Sequence, residues 1–118
     1  YAKGRYAFGQ PIANFQAIQF MIADMAMEIE ATRLMVYKAA TLRDKGVRYT
    51  KEAAMAKVFG AEMAMKTAKN AIQILGGYGY TRDYPLERYL RDAKLLEIGE
   101  GTTEVLRVLI GNTVLRGQ

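Results

Sequence analysis

Apolar residues recur along this 118-residue chain at helical intervals, and the two-residue alternation of a half-buried strand is absent. From Ile12 to Leu42 there is neither Gly nor Pro, and Phe15, Ile18, Ile22, Met25 and Ile29 follow one another at spacings of three and four. That spacing lays one apolar stripe along a long helix. Pro11 suits its first turn, and Gly46 supplies a stop after the last periodic residues. A second helix is predicted from Thr50, an N-cap type of residue with Glu52 in the first turn, to about Leu75, where Gly76 and Gly77 end it. Its stripe is Ala54, Val58, Met65, Ala68, Ile72 and Leu75. Abundant Ala and Met, with Gly60, favour close helix approach and packing on more than one side.

The stretch GGYGYTRDYP, Gly76 to Pro85, carries three glycines and a proline among tyrosines and reads as a loop. Tyr84 and Pro85 open a short helix from Leu86 to about Leu95, and a last helix runs from about Thr102 to Leu115. The expectation is an all-α fold: an antiparallel, up-and-down, four-helix-bundle-like single domain over residues 1–118, without internal repeats.

Composition narrows the chemistry. With 51% hydrophobic and 25% charged residues and only two prolines, the chain has an ordinary globular make-up. It has no cysteine, so disulfides, thiolate metal sites and a cysteine nucleophile are excluded. It has no histidine either, so acid–base work rests on Asp, Glu, Lys or Tyr, and no metal site is expected. No apolar run reaches the ~18 residues that span a bilayer, and no leader pattern opens the chain. A bacterial cytoplasmic or mitochondrial-matrix protein is expected. The first residue is Tyr rather than Met, which suggests a piece of something longer.

The net charge of +5 raises nucleic acid as a partner, but Lys and Arg are scattered. The densest group, Arg43, Lys45 and Arg48, falls at a helix end, where cations offset the macrodipole. A small phosphate-bearing ligand suits this charge better than nucleic acid.

Three stretches are candidates for chemistry. In GEGTTEVLR, Glu100 stands between Gly99 and Gly101 just before a helix. An acid there is explained by the helix dipole alone. The glycines also permit close approach of a ligand and leave the Glu100 N–H free to donate, so one residue can offer both a base and a carbonyl polariser. In ILGGYGY the glycines follow a helix, whereas dinucleotide fingerprints follow a strand, so a helix cap and loop is the plain reading. In GRYAFGQP, a turn is the plain reading, while Arg5 and Phe8 ahead of a helix are compatible with a phosphate held beside an aromatic ring. Asp92 reads as a surface partner of Arg88 or Lys94.

Taken in order, RYAFGQPIANFQAIQFMIADM, AIQILGGYGYTRDYPLERYLRDAK and IGEGTTEVLR resemble signatures of the C-terminal helical domain of the acyl-CoA dehydrogenases, over essentially the whole chain. The resemblance implies an N-terminal helical domain and a central β-domain that this sequence does not contain. It implies FAD as cofactor and acyl-CoA as substrate. Glu100 matches the glutamate that abstracts the α-proton while the β-hydrogen leaves as hydride, and its N–H, with neighbouring Gly101, faces the thioester. Arg5, Phe8 and Gln16 match positions that contact the FAD of a neighbouring subunit. Gln73, Gly76 and Gly77 match the loop near the same cofactor's pyrophosphate and adenosine. Thr102 and Glu104 match flavin-contacting positions, although Gln is also usual at the latter. Self-association into a homodimer or homotetramer, and electron-transferring flavoprotein as electron acceptor, are further implications. On this basis the isolated domain is expected to be inactive. Two alternatives stay open: a non-catalytic helical oligomerisation module of the same fold, and an acyl-CoA oxidase-type relative.

Overall fold

Where no strand was expected, a two-residue ladder opens the chain. In the computed structural model, which describes residues 1–117, β1 (Tyr6–Ala7) pairs antiparallel with β2 (Gln10–Pro11), Tyr6 opposite Pro11 and Ala7 opposite Gln10. The two-residue loop puts Phe8 at φ +52° and Gly9 at +80°, the sign that hairpin turns require at both central positions. Pro11 therefore closes a hairpin instead of starting a helix. A 3-10 turn over Ile12–Asn14 follows, and helix α1 begins only at Gln16 and runs to Asp44.

At its end, the Val47 N–H donates to the Leu42 carbonyl and the Gly46 N–H to that of Arg43, the paired bonds of a Schellman stop. Helix α2 spans Thr50–Leu75, with Tyr49 at the cap position and no side-chain cap bond. The expected Thr50 cap is thus the first helical residue. Part of the predicted loop is helical too, as α3 (Gly77–Tyr80). Helix α4 covers Leu86–Ile98, and α5 covers Thr103–Leu115. Thr102 caps α5, its Oγ1 accepting from the Val105 N–H at 3.3 Å.

The four main helices pack together around α2, which touches α1, α3, α4 and α5. Every residue of its predicted stripe is at least partly covered. The Lys57 ammonium reaches the end of α4, Arg107 of α5 pairs with Glu62, and Thr113 shares a cleft with Lys51 and Glu52. Helices α4 and α5 thus succeed one another along α2, α5 running opposite to it.

On α1 the covered side is Ile18, Met21, Met25, Glu28, Thr32, Met35, Ala39 and Leu42, a heptad-like seam. Ile22 and Ile29, placed in the predicted stripe, are exposed. The polar members of the seam are satisfied: Glu28 pairs with Lys66 on α2, and the Thr32 hydroxyl donates to the Glu28 carbonyl at 2.8 Å. The Thr32 methyl lies 3.0 Å from where a Cβ on Gly60 would sit, so the two helices pack tightly there.

Among the described residues the seven buried apolar ones are all small: Ala39, Ala54, Ala56, Val58, Ala61, Ala68 and Ala93. The molecule measures 57 × 25 × 24 Å. Its radius of gyration is 17.6 Å, against about 13.5 Å for a compact chain of this length.

Candidate functional site

The break between α4 and α5 carries the sequence's acid in a strained conformation. Glu100 has φ +59°, in the left-handed region that costs a non-glycine residue about 1–2 kcal/mol. Gly101 follows at φ +92°, a backbone conformation that favours glycine, while a Cβ there would make only ordinary contact with Leu106 at 3.4 Å. Gly99, at φ −75° and ψ 154°, is in ordinary extended backbone. The room expected from two glycines comes from Gly101 and from the turn of Glu100 itself.

What holds the turn was not anticipated. The Lys57 Nζ, half-buried on α2, donates to the Gly99 carbonyl at 2.7 Å and to the Gly101 carbonyl at 2.5 Å. The carbonyls of the residues on either side of Glu100 are tied to one ammonium. The Glu100 side chain is exposed, and no backbone acceptor among the described residues takes its N–H. Thr102 is occupied as the α5 cap. The Glu104 carboxylate accepts from its own N–H and from the Thr102 hydroxyl, and these bonds, its own N–H first, hold its pKa below the ordinary 4.5. Asp92 is not the partner of Lys94, which pairs with Glu97, while Arg88 lies over the Tyr89 ring.

A second surface lies at the far end of α2. An open cleft of about 630 Å³ is lined by Arg5, Gln73, Gly76 and Gly77, with Tyr1, Ile12, Tyr78 and Thr81 among its walls. The Arg5 guanidinium sits 5.8 Å from the Tyr78 ring centroid and pairs with no carboxylate among the described residues. Tyr1, Tyr78 and Tyr84 meet at ring-centroid distances of 6.0 to 6.4 Å. Built Cβ atoms on Gly76 or Gly77 would meet nothing within 4 Å, so bare backbone faces the opening. Gly79 does the opposite: a Cβ would stand 2.8 Å from the Ile72 carbonyl oxygen, so the loop lies directly on the last turn of α2.

Phe8 and Gln16, expected beside this cleft, do not line it. Phe8 is 95% exposed at the hairpin tip, edge-on to Phe15 at 6.2 Å, and Gln16 is exposed at the start of α1. An arginine without a carboxylate, beside open glycine backbone, suits the diphosphate of a nucleotide cofactor.

The two surfaces are far apart. Lys57 marks the first and Gly76 the second, and the nineteen-position step from one to the other along α2 spans about 28 Å at 1.5 Å per residue. Neither surface encloses a ligand. The class of protein defined here is a helical domain with two open surfaces at different points along α2.

The chain belongs to the acyl-CoA dehydrogenase family and is its C-terminal domain: the family described as acyl-CoA dehydrogenase, C-terminal domain, matches residues 1–115. It is 59% identical over 116 residues to a probable acyl-CoA dehydrogenase, YngJ, of Bacillus subtilis, covering 98% of this chain and 30% of that protein. It is 49% identical over 116 residues to the mitochondrial short-chain specific acyl-CoA dehydrogenase of Rattus norvegicus, covering 98% of this chain and 28% of that one. The structure of butyryl-CoA dehydrogenase from Megasphaera elsdenii superposes with a TM-score of 0.96 at 47% identity, over 98% of this chain and 30% of that chain. A structure described as an electron transferring flavoprotein of Acidaminococcus fermentans gives 0.96 at 52%, with the same coverage. An FAD complex of PigA gives 0.95 at 31%, over all of this chain and 31% of that one. The chain thus spans about 30% of the length of the relatives it matches.

Proposed function

We propose that this domain works within an FAD-dependent acyl-CoA dehydrogenase, with Glu100 as the catalytic base. The observation that carries it is the strained Glu100 turn: an exposed carboxylate and an untaken backbone N–H on one residue, at a glycine-opened break. Glu100 takes the α-proton of an acyl-CoA thioester. Its N–H donates to the thioester oxygen, and that bond acidifies the proton being removed. FAD, when bound, supplies the acceptor for the β-hydrogen, which leaves as hydride. Gly101 gives the acyl group room beside the carboxylate.

At the other end, Arg5 and the open backbone of Gly76 and Gly77 hold a cofactor diphosphate with Gln73 beside it, while Phe8 and Gln16 meet the cofactor outside the cleft. The separation of the two surfaces supports a second copy as the owner of that cofactor, and hence a homodimer or homotetramer. Thr102 and Glu104 bear on the flavin only from their places at the α5 start. Electron-transferring flavoprotein is the electron acceptor in this reading, and the setting is a bacterial cytoplasm or mitochondrial matrix.

The test is Glu100→Gln in the full-length enzyme. FAD and acyl-CoA binding should persist, while anaerobic flavin reduction by a panel of acyl-CoAs slows on the order of 10²- to 10⁴-fold. Reduction at the parent rate places the base elsewhere.

A further inference from the structure

Between the two glycine carbonyls and α2 sits a charge that the reaction as described leaves unused. The C=O of Gly99 and the N–H of Glu100 belong to one peptide group. Among the described residues no peptide bond is cis, and in a trans peptide these two bonds point in opposite directions. Lys57 draws the Gly99 oxygen toward α2 at 2.7 Å. The Glu100 N–H is thereby turned away from the ammonium, and no backbone acceptor among the described residues takes it. The second bond, from the same Nζ to the Gly101 oxygen at 2.5 Å, fixes the Gly101–Thr102 peptide at the start of α5. The Gly99–Glu100 peptide, whose orientation sets the Glu100 φ of +59°, cannot flip without breaking the bond from Lys57.

We propose that Lys57 is the positioning residue of the thioester site, aiming and polarising the Glu100 N–H through the Gly99 peptide. This rests on Glu100 being at the reacting centre. A bond from an ammonium to a carbonyl is charge-assisted, and it withdraws electron density along the peptide. The Glu100 N–H becomes a stronger donor to the thioester oxygen. Lys57 touches neither substrate nor cofactor in this arrangement. Its cationic charge acts across one peptide group, where negative charge develops on the thioester oxygen as the α-proton leaves.

The experiment uses the full-length enzyme and butyryl-CoA isotope-labelled at the thioester carbonyl. Infrared difference spectra are taken in a Glu100→Gln background, so that the thioester is bound and not consumed. The carbonyl band should lie well below its frequency in water, because the backbone donor is intact. Adding Lys57→Met should move the band back toward the water value, and adding Lys57→Arg should retain most of the lowering. With Glu100 present, Lys57→Met alone should slow flavin reduction on the order of 10²-fold, comparable to losing one oxyanion donor. FAD content should be unchanged, and Lys57→Arg should recover much of the rate.

An unshifted band after Lys57→Met overturns the proposal, even if the rate falls. Rapid reduction in Glu100→Gln overturns the base and leaves the band shift as the separate reading on Lys57. Should Lys57→Met not fold, Lys57→Gln takes its place, being shorter and neutral. A full lowering of the band in that variant equally overturns the proposal.

Discussion

The outer side of α1 should drive self-association, and two aspartates should abolish it. A monomer of 13.2 kDa is expected to expose about 6,400 Å². This chain exposes 8189 Å², an excess of about 1,800 Å² where a standard interface covers about 800 Å² on each partner. The excess is apolar in part. Phe20, Met27 and Leu34 repeat every seven residues away from the α1 seam, and Phe20 and Leu34 are 65% and 60% exposed. Such a row suits a helix of a second copy. Replacing both with Asp touches no internal contact of weight, so folding stability should change by no more than about 0.5 kcal/mol per site. Sedimentation velocity on the 118-residue chain should find a dimer or larger species, and the Phe20→Asp, Leu34→Asp variant should be smaller with the same helical circular dichroism. A parent that stays monomeric to its solubility limit refutes the reasoning, as does a variant of unchanged mass.

Gly79→Ala places a methyl against the backbone of Ile72, which cannot yield as a side chain tip would. A loss of about 1–3 kcal/mol is expected in urea unfolding, and an unchanged midpoint would show that α3 does not rest on α2. Glu104→Gln tests the acid at the α5 start. A carboxylate whose folded pKa is depressed stabilises the fold above its unfolded value, near the ordinary 4.5, and that contribution is lost as pH falls through the folded value. The variant should therefore be less stable than the parent at neutral pH, with the gap closing below pH 4.5. A gap that is constant from neutral to strongly acidic pH would remove the assignment.

The long helices were legible because their Pro-free spans, the first also without glycine, and their glycine stops leave few choices. Which side of α1 faces inward was not. Apolar residues occur all round that helix, and the true seam includes Glu28 and Thr32, which look like surface residues until Lys66 and the Glu28 carbonyl are seen to satisfy them. The hairpin was hidden by Pro11, which suits a helix start and a hairpin's closing strand equally. Glu100 stood out from its two glycines. Lys57 could not, since it is one lysine in an Ala-rich helix and its carbonyl partners lie forty-two and forty-four positions later. Long-range bonds to backbone leave no mark on side-chain type.

The separation of the two surfaces along α2 has a consequence for inheritance. If the base serves the chain's own cofactor and Arg5 serves a neighbour's, one copy carrying Glu100→Gln and another carrying Arg5→Ala do not fail together. In a mixed dimer both defects fall in one site, and the other site receives an intact glutamate from one chain and an intact arginine from its partner. Two alleles that are each inactive alone would then restore part of the activity when expressed together, whereas two defects in the same surface would not.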